Sequence, residues 1–398
     1  MNSLQIGWID YSNEHKNKAM AVLDLLSQKG AVDELGIGLI RDGFADKFFP
    51  GTSTLQTRAK YFFIVPYILM ELEKRAFSNP QRFLDTLFEI EVELIDVLKK
   101  GTFDGVIGGR SGKKLKRKPS SIYWNGFRTF EIFKYGNLTQ NNYAKSLIAI
   151  KQNKNSASRL GIDETDELET GSTEYAGVFW HCIFPESDWK ENLTIELNQQ
   201  EAEFLKDRIT LSPNSEDSLF AFLLKQNLAD VNKIEEFASI GEVFTLPEHI
   251  RNDFYLANSF NKFMAGANIR YNMILSNGEN ERAVNRWTEW INSSFVKEQF
   301  RYFPYQEVLR LLEIKNVRLG RFLKGWQDAV VKGDENELDQ LIIKREIELK
   351  SRDRAKLNNT KAYSYDGNWV GTPKLDYRFS NAKILINDIF NGLEEQYA

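Results

Sequence analysis

Between Asp33 and Tyr67 the chain interleaves glycine, aspartate, arginine and threonine with phenylalanine and isoleucine more tightly than an ordinary helical pair requires, in the run DELGIGLIRDGFADKFFPGTSTLQTRAKYFFIVPY. Asp33 can cap a helix here. Ile37, Ile40, Phe44 and Phe48 follow at spacings of three and four, which places them on one helical face. Pro50-Gly51 stops that helix, since proline has no amide hydrogen to donate and glycine releases the backbone. Thr52, Ser53 and Thr54 then offer caps for a further helix through Tyr61 and Val65, with Pro66 as a point of kinking. Upstream, Ser12 or Asn13 caps a first helix that carries Ala19, Val22, Leu25 and Leu26 and ends at Gly30. Downstream, Pro80 to Lys99 repeats the pattern with Phe83, Leu87, Ile90 and Leu94.

The grain changes at Gly101. Residues 101–119 are rich in glycine and lysine, and 121–135 are aromatic, which fits either a helix-turn segment or a short winged hairpin. Residues 142–150 return to a helical pattern. Residues 151–172 are polar, acidic and almost free of large apolar side chains, so they read as a linker or a long surface loop. Residues 175–184 and 194–197 have the make-up of short strands. Helical patterns then run over 199–207, 215–226, 231–239, 247–276, 279–298, 304–314, 317–331, 335–350 and 380–393. The expected fold is mainly α with minor β, in two helical domains. The first is 1–150, with a basic loop at 110–118, and the second is 173–398. At 398 residues more than one core is expected.

Charge narrows the function classes. A net charge of −4 excludes a protein that coats nucleic acid over its whole surface, but not one with a local basic patch. One cysteine, Cys182, excludes an intramolecular disulfide framework and suits a reducing cytoplasm. The N-terminal stretch has no apolar core of a signal peptide. The longest apolar run, 61–70, is about half a membrane span and holds Pro66. A cytoplasmic protein with no membrane partner is expected.

Several chemistries lack their motifs. There is no CxxC, HExxH, GxxxxGK[ST] or GxSxG, and His15, His181 and His249 stand far apart, so no metal and no cofactor is expected. Gly36-Ile37-Gly38 follows no strand and reads as helix packing. Asp42 and Asp46 are four apart on one helix face, with Asp10 and Glu34 nearby in sequence. These four carboxylates can act as a metal-binding or acid–base set, or pair with Arg41, Arg58 and Lys60 as a structural network. Thr52, Ser53, Thr54 and Arg58 form a candidate anion site. Arg110, Lys113, Lys114, Lys116, Arg117 and Lys118 put six cations in nine residues, followed closely by Trp124. Cations contact phosphates and aromatic rings stack on unpaired bases, so this group is the candidate nucleic-acid contact. Glu348-Leu349-Lys350 reads as part of a solvated helix face. Asp376-Tyr377-Arg378-Phe379 reads as a structural closure.

The segments IGWIDYS, DELGIGLIRDGFADKFFPGTSTLQTRAKYFFIVP, DGVIGGRSGKKLKRKPSSIYW, LNQQEAEFLKDRI and LDYRFSNAKILINDIFNGL resemble an uncharacterised bacterial family of about this length. The resemblance implies a place in antiphage defence gene neighbourhoods, beside helicases and phospholipase-D-like nucleases. It supplies no catalytic residues. The expectation is a non-catalytic subunit of such a system, a scaffold or nucleic-acid-contacting partner of a helicase or nuclease. The alternative is a metal-dependent nuclease built on Asp10, Glu34, Asp42 and Asp46.

Overall fold

Helix α1 (Gly38–Phe48) starts where the Asp33 side chain accepts the Gly38 amide hydrogen. Ile40, Phe44 and Phe48 are buried along it, as their spacing predicts. Phe44 stacks on Phe48 at 5.8 Å and meets Tyr377 edge-on at 5.4 Å. Pro50 ends the element. Gly51 turns the chain at φ +75°, where a Cβ would lie 2.7 Å from the Phe130 ring, so a side chain is excluded by both strain and space.

No helix forms over 52–60, and Thr52, Ser53 and Thr54 are not its caps. The amides there have partners from distant parts of the chain. The Tyr123 hydroxyl accepts from Thr57 N at 3.0 Å and Arg58 N at 3.2 Å, and donates to Arg58 O at 2.7 Å. The Asp388 carboxylate accepts from Ala59 N at 2.7 Å and from Arg58 Nε at 3.0 Å. Gln56 folds back on Gly51 O at 3.0 Å and Ser53 N at 3.2 Å. With these groups satisfied, the helix begins only at Tyr61. This helix, α2 (Tyr61–Glu73), runs through Pro66 and is buried on nearly every side, which defines it as the central element of its unit.

The computed structural model describes residues 33–159, 178–360, 362–371 and 374–394. The helix expected after Ser12 or Asn13 and most of the 151–172 stretch lie outside them. After α2 come α3 (Pro80–Leu98), α4 (Pro119–Thr129), α5 (Gln140–Arg159), α6 (Gln199–Leu211), α7 (Leu219–Leu224), α8 (Leu228–Asn232), α9 (Ile240–Val243) and α10 (Glu248–Leu275). They are followed by α11 (Glu281–Asn292), α12 (Tyr305–Leu311), α13 (Val317–Lys332), α14 (Glu335–Lys350) and α15 (Phe379–Glu394). The fold is mainly α. Of the two alternatives for the aromatic stretch, the helix is what forms. Among the described residues the β content is one isolated antiparallel bridge, Phe133 to Trp180. Of the expected strand at 175–184 the described part, 178–184, is not a strand: Val178 and Phe179 are helical and Trp180 makes only the bridge. Residues 194–197 form none either, and Phe179, Trp180, Ile195 and Leu197 are buried all the same. A strand without a partner leaves its amides unpaired, so burial alone does not make one. No helix among the described residues is long and apolar enough to cross a membrane.

The chain groups into two compact units. One comprises Gly43–Asp253 with the described part of Asp376–Ala398. The other comprises the described part of Met1–Asp42 with Phe254–Leu375. Two of the three divisions fall inside α1 and α10 and the third lies between Leu375 and Asp376, whereas the sequence placed one boundary at 151–172.

In the first unit, Phe62 meets Tyr123, Phe127 and Phe130, and Phe63 meets Phe204. Lys60 donates to the buried Glu201 at 2.6 Å. Glu73, at the end of α2, accepts from the Tyr143 hydroxyl and from Trp180 Nε1, the latter at 2.8 Å. Burial pushes this carboxyl up to about 7. Arg378 closes the C-terminal segment onto Asp46 at 2.5 Å and Thr52 O at 3.0 Å, the closure expected of its motif.

In the second unit, Phe260, Phe263, Met264, Ala267 and Tyr271 are buried along α10. Trp290 Nε1 donates to Lys262 O at 2.8 Å and Trp326 Nε1 to Phe263 O at 2.9 Å, so both indoles are buried with their polar atoms satisfied.

Candidate nucleic-acid interface

Residues 99–118 form an anchored platform between α3 and α4. Gly105 O accepts from Thr57 Oγ1 at 2.6 Å, and Ile107 N donates to the Tyr61 hydroxyl at 2.9 Å. Val106 and Ile107 are buried. Gly108 has φ +83°, and a Cβ there would lie 2.7 Å from Ile95. At the far end, buried Glu91 accepts from Ser120 N at 2.6 Å and so holds the first turn of α4. Its other oxygen has no hydrogen-bond partner, and burial pushes the carboxyl up to about 7. Between these anchors, a one-turn 3₁₀ helix over Gly112–Lys114 carries the chain through the cations.

Lys100, Arg110, Lys113, Lys114 and Lys116 are exposed, while Arg117 and Lys118 are half-buried. The Lys118 ammonium lies 4.6 Å from the Phe88 ring centroid. From Lys99 to Lys118 there are eight cations against Asp104 alone, a net of +7. Trp124 is not part of this surface. It is only 7% exposed, donates to Leu138 O at 3.0 Å and packs against Phe133 at 4.9 Å and Tyr143 at 5.9 Å. Its ring therefore has no open face for a base. The exposed ring is Phe103, at 65%, with Lys99 Nζ 5.0 Å from its centroid. Sequence reasoning passed over Phe103. The available signal was a large aromatic between glycines in a polar segment, GTFDG.

The platform leads directly into α4. Ser121 and Asn125 are exposed there and Arg128 is half-buried, at spacings of four and three, so they form one stripe. At the far end of α4 lies an open cleft of about 380 Å³, lined by Asn125, Arg128, Thr129, Asn137, Asn214 and Asp46, among others. A neighbouring cleft of about 260 Å³ is lined by Asp46, Asp217 and Asp253 alongside Lys47 and His249, with Lys47 paired to Asp253 at 3.0 Å.

The other candidates are engaged elsewhere. Asp42 is paired with Arg41 at 3.0 Å and Asp46 with Arg378 at 2.5 Å. Glu34 lies in a buried network of the second unit. It meets Lys350, Lys356 at 3.0 Å and the Tyr271 hydroxyl at 3.3 Å, and Tyr271 also donates to Glu346 at 2.7 Å. Lys350, expected on a solvated face, is thus a buried ion-pair partner, and burial lowers it to about 8. Asp10 lies outside the described residues. No three His, Cys, Asp or Glu side chains among the described residues are grouped to hold a metal ion. Of the anion-site residues, Thr52 is buried and donates to Phe49 O at 2.6 Å, and Arg58 is bound to Asp388. Ser53 Oγ accepts from Leu55 N at 3.4 Å, and Thr54 is exposed with its carbonyl accepting from Asn381 at 3.3 Å.

Residues 3–177 match a family of unknown function, DUF6361. The N-terminal part of the chain is therefore that of an uncharacterised family, as its motifs suggested. The match takes in the whole platform, α4 and every residue named for the larger cleft except Asn214. The motifs LNQQEAEFLKDRI and LDYRFSNAKILINDIFNGL lie beyond it. No curated protein and no solved structure matches the chain.

Proposed function

We propose that this protein is a non-catalytic nucleic-acid-contacting subunit, with residues 99–118 as its phosphate-contacting surface. The observation that carries this reading is the platform itself: a net of +7, fixed at both ends, in a chain whose net charge is −4. A flexible solvated loop needs no such anchoring. Like charges held together repel one another, and an anionic partner relieves that repulsion. The exposed Phe103 ring beside the cations suits unpaired bases. The dispersal of Glu34, Asp42 and Asp46 into separate ion pairs favours this reading over a metal-dependent nuclease.

A place in an antiphage defence system, beside a helicase or nuclease subunit, is the setting we propose for this activity. The test is binding of fluorescent oligonucleotides by the intact protein and by the Lys113→Ala/Lys114→Ala/Lys116→Ala variant. Weaker binding of every sequence by the variant supports the reading. Unchanged oligonucleotide binding, with a protein partner lost in pull-down, would reassign the platform to docking an acidic protein surface. Unimpaired phage protection by the variant would separate the platform from defence, and no phage protection by the intact protein would remove the defence setting.

A further inference from the structure

We infer that the cleft at the C-terminal end of α4 holds one unpaired nucleotide of a single strand whose phosphates lie on the basic platform. This rests on the nucleic-acid reading above and adds a second contact to it. The first argument is continuity. The platform ends at Lys118, α4 begins at Pro119, and Ser121, Asn125 and Arg128 mark one face from there to the cleft. At 1.5 Å per residue the helix covers about 16 Å, a short reach for an extended strand.

The second argument is lining chemistry. Asn125, Asn137 and Asn214 each bring an amide that both donates and accepts, which is the complement of a base edge. Arg128 adds a guanidinium that can stack on a base or pair with a phosphate. The one acid, Asp46, is already neutralised by Arg378 at 2.5 Å. In the neighbouring cleft Lys47 pairs with Asp253 at 3.0 Å and Asp217 adds a further carboxylate, whereas the first cleft has no acid besides Asp46, so the first suits a polyanion better. Its volume of about 380 Å³ is in the range of small-ligand sites, roughly 300–1,000 Å³. A base must leave a duplex to enter it, so the site selects single strands.

Two measurements test this. In the first, single-stranded oligonucleotides with one photoreactive base at successive positions are crosslinked to the wild-type protein. One position should crosslink to the segments holding Asn125, Arg128 or Asn137. In the second, Asn125→Ala/Asn137→Ala should weaken single-strand binding roughly tenfold, the effect of about two lost hydrogen bonds. Its salt dependence and its duplex affinity should stay as in wild type. Crosslinks confined to other segments, with wild-type affinity in the asparagine variant and lost affinity in the lysine variant, would overturn the cleft and leave the platform standing. A wild-type protein that binds no oligonucleotide would overturn both. The crosslinking map uses the unaltered chain, so it decides the matter even if the asparagine variant does not fold.

Discussion

Replacing Asp388 by Ala should be among the most destabilising single changes in the first unit. The Asp388 carboxylate is 7% exposed and accepts from Arg58 Nε at 3.0 Å and Ala59 N at 2.7 Å. Its removal leaves a buried amide without an acceptor, which costs about 1–3 kcal/mol. It also leaves the Arg58 guanidinium, 15% exposed, with more distant acids, Glu196 at 3.9 Å and Asp104. Breaking a buried pair from one side costs about 3–5 kcal/mol in all. For a unit of this size, that lowers the melting temperature by roughly 6–20 °C. Asp388→Asn keeps one acceptor and should lose clearly less. Arg58→Ala removes the buried cation, while the carboxylate still serves Ala59 N, so it too should cost less than Asp388→Ala. The assay is a thermal melt of the three single variants and of the Arg58→Ala/Asp388→Ala double variant. A melting temperature for Asp388→Ala within 1 °C of wild type would refute the reasoning, as would strict additivity in the double variant.

Three more outcomes are expected. Phe44 is fully buried against Phe48 and Tyr377, so Phe44→Ala should cost about 3–5 kcal/mol in a denaturant melt, and a curve overlaying wild type would contradict its placement. Glu73 and Glu91 are held up to about 7 by burial, from an ordinary value of 4.5, so the folded state binds more protons than the unfolded one between those values. Their contribution to stability is present below pH 4.5 and lost as pH rises through 7. Glutamine mimics the protonated acid, so Glu73→Gln/Glu91→Gln should gain in melting temperature relative to wild type from pH 5 to pH 8, and an equal offset at both ends would exclude the effect. Phe103→Ala should weaken single-strand binding by about 1–3 kcal/mol with an unchanged melt, whereas Trp124→Ala should lower the melt, and the reverse pattern would misplace both rings.

What the sequence revealed was local. The helix opening at Pro80 was legible from the apolar spacing of Phe83, Leu87, Ile90 and Leu94, all buried, while its cap, Asn79 accepting from Arg82 N at 2.9 Å, went unread. The helices over 335–350 and 380–393 were legible as helical patterns too. The 52–60 loop was not, because Tyr123 and Asp388 take its amides from 66 and 329 residues away along the chain. Charge density marked the basic platform. Trp124 was misjudged because adjacency to lysines says nothing about which helix face meets the core. The charges showed the same limit. Arg58 and Lys60 were foreseen as counter-charges for nearby acids, yet they pair with Asp388 and Glu201.

The central claim is that the 99–118 platform contacts nucleic-acid phosphates. Its most direct test is the affinity of the intact protein for a single-stranded homopolymer across a salt titration, compared with the Lys113→Ala/Lys114→Ala/Lys116→Ala variant. The account predicts that log affinity falls linearly with log salt in both, with the variant's slope shallower by about 2, roughly 0.7 for each lost phosphate contact. A wild-type affinity that ignores salt, or a variant slope equal to wild type, would contradict it.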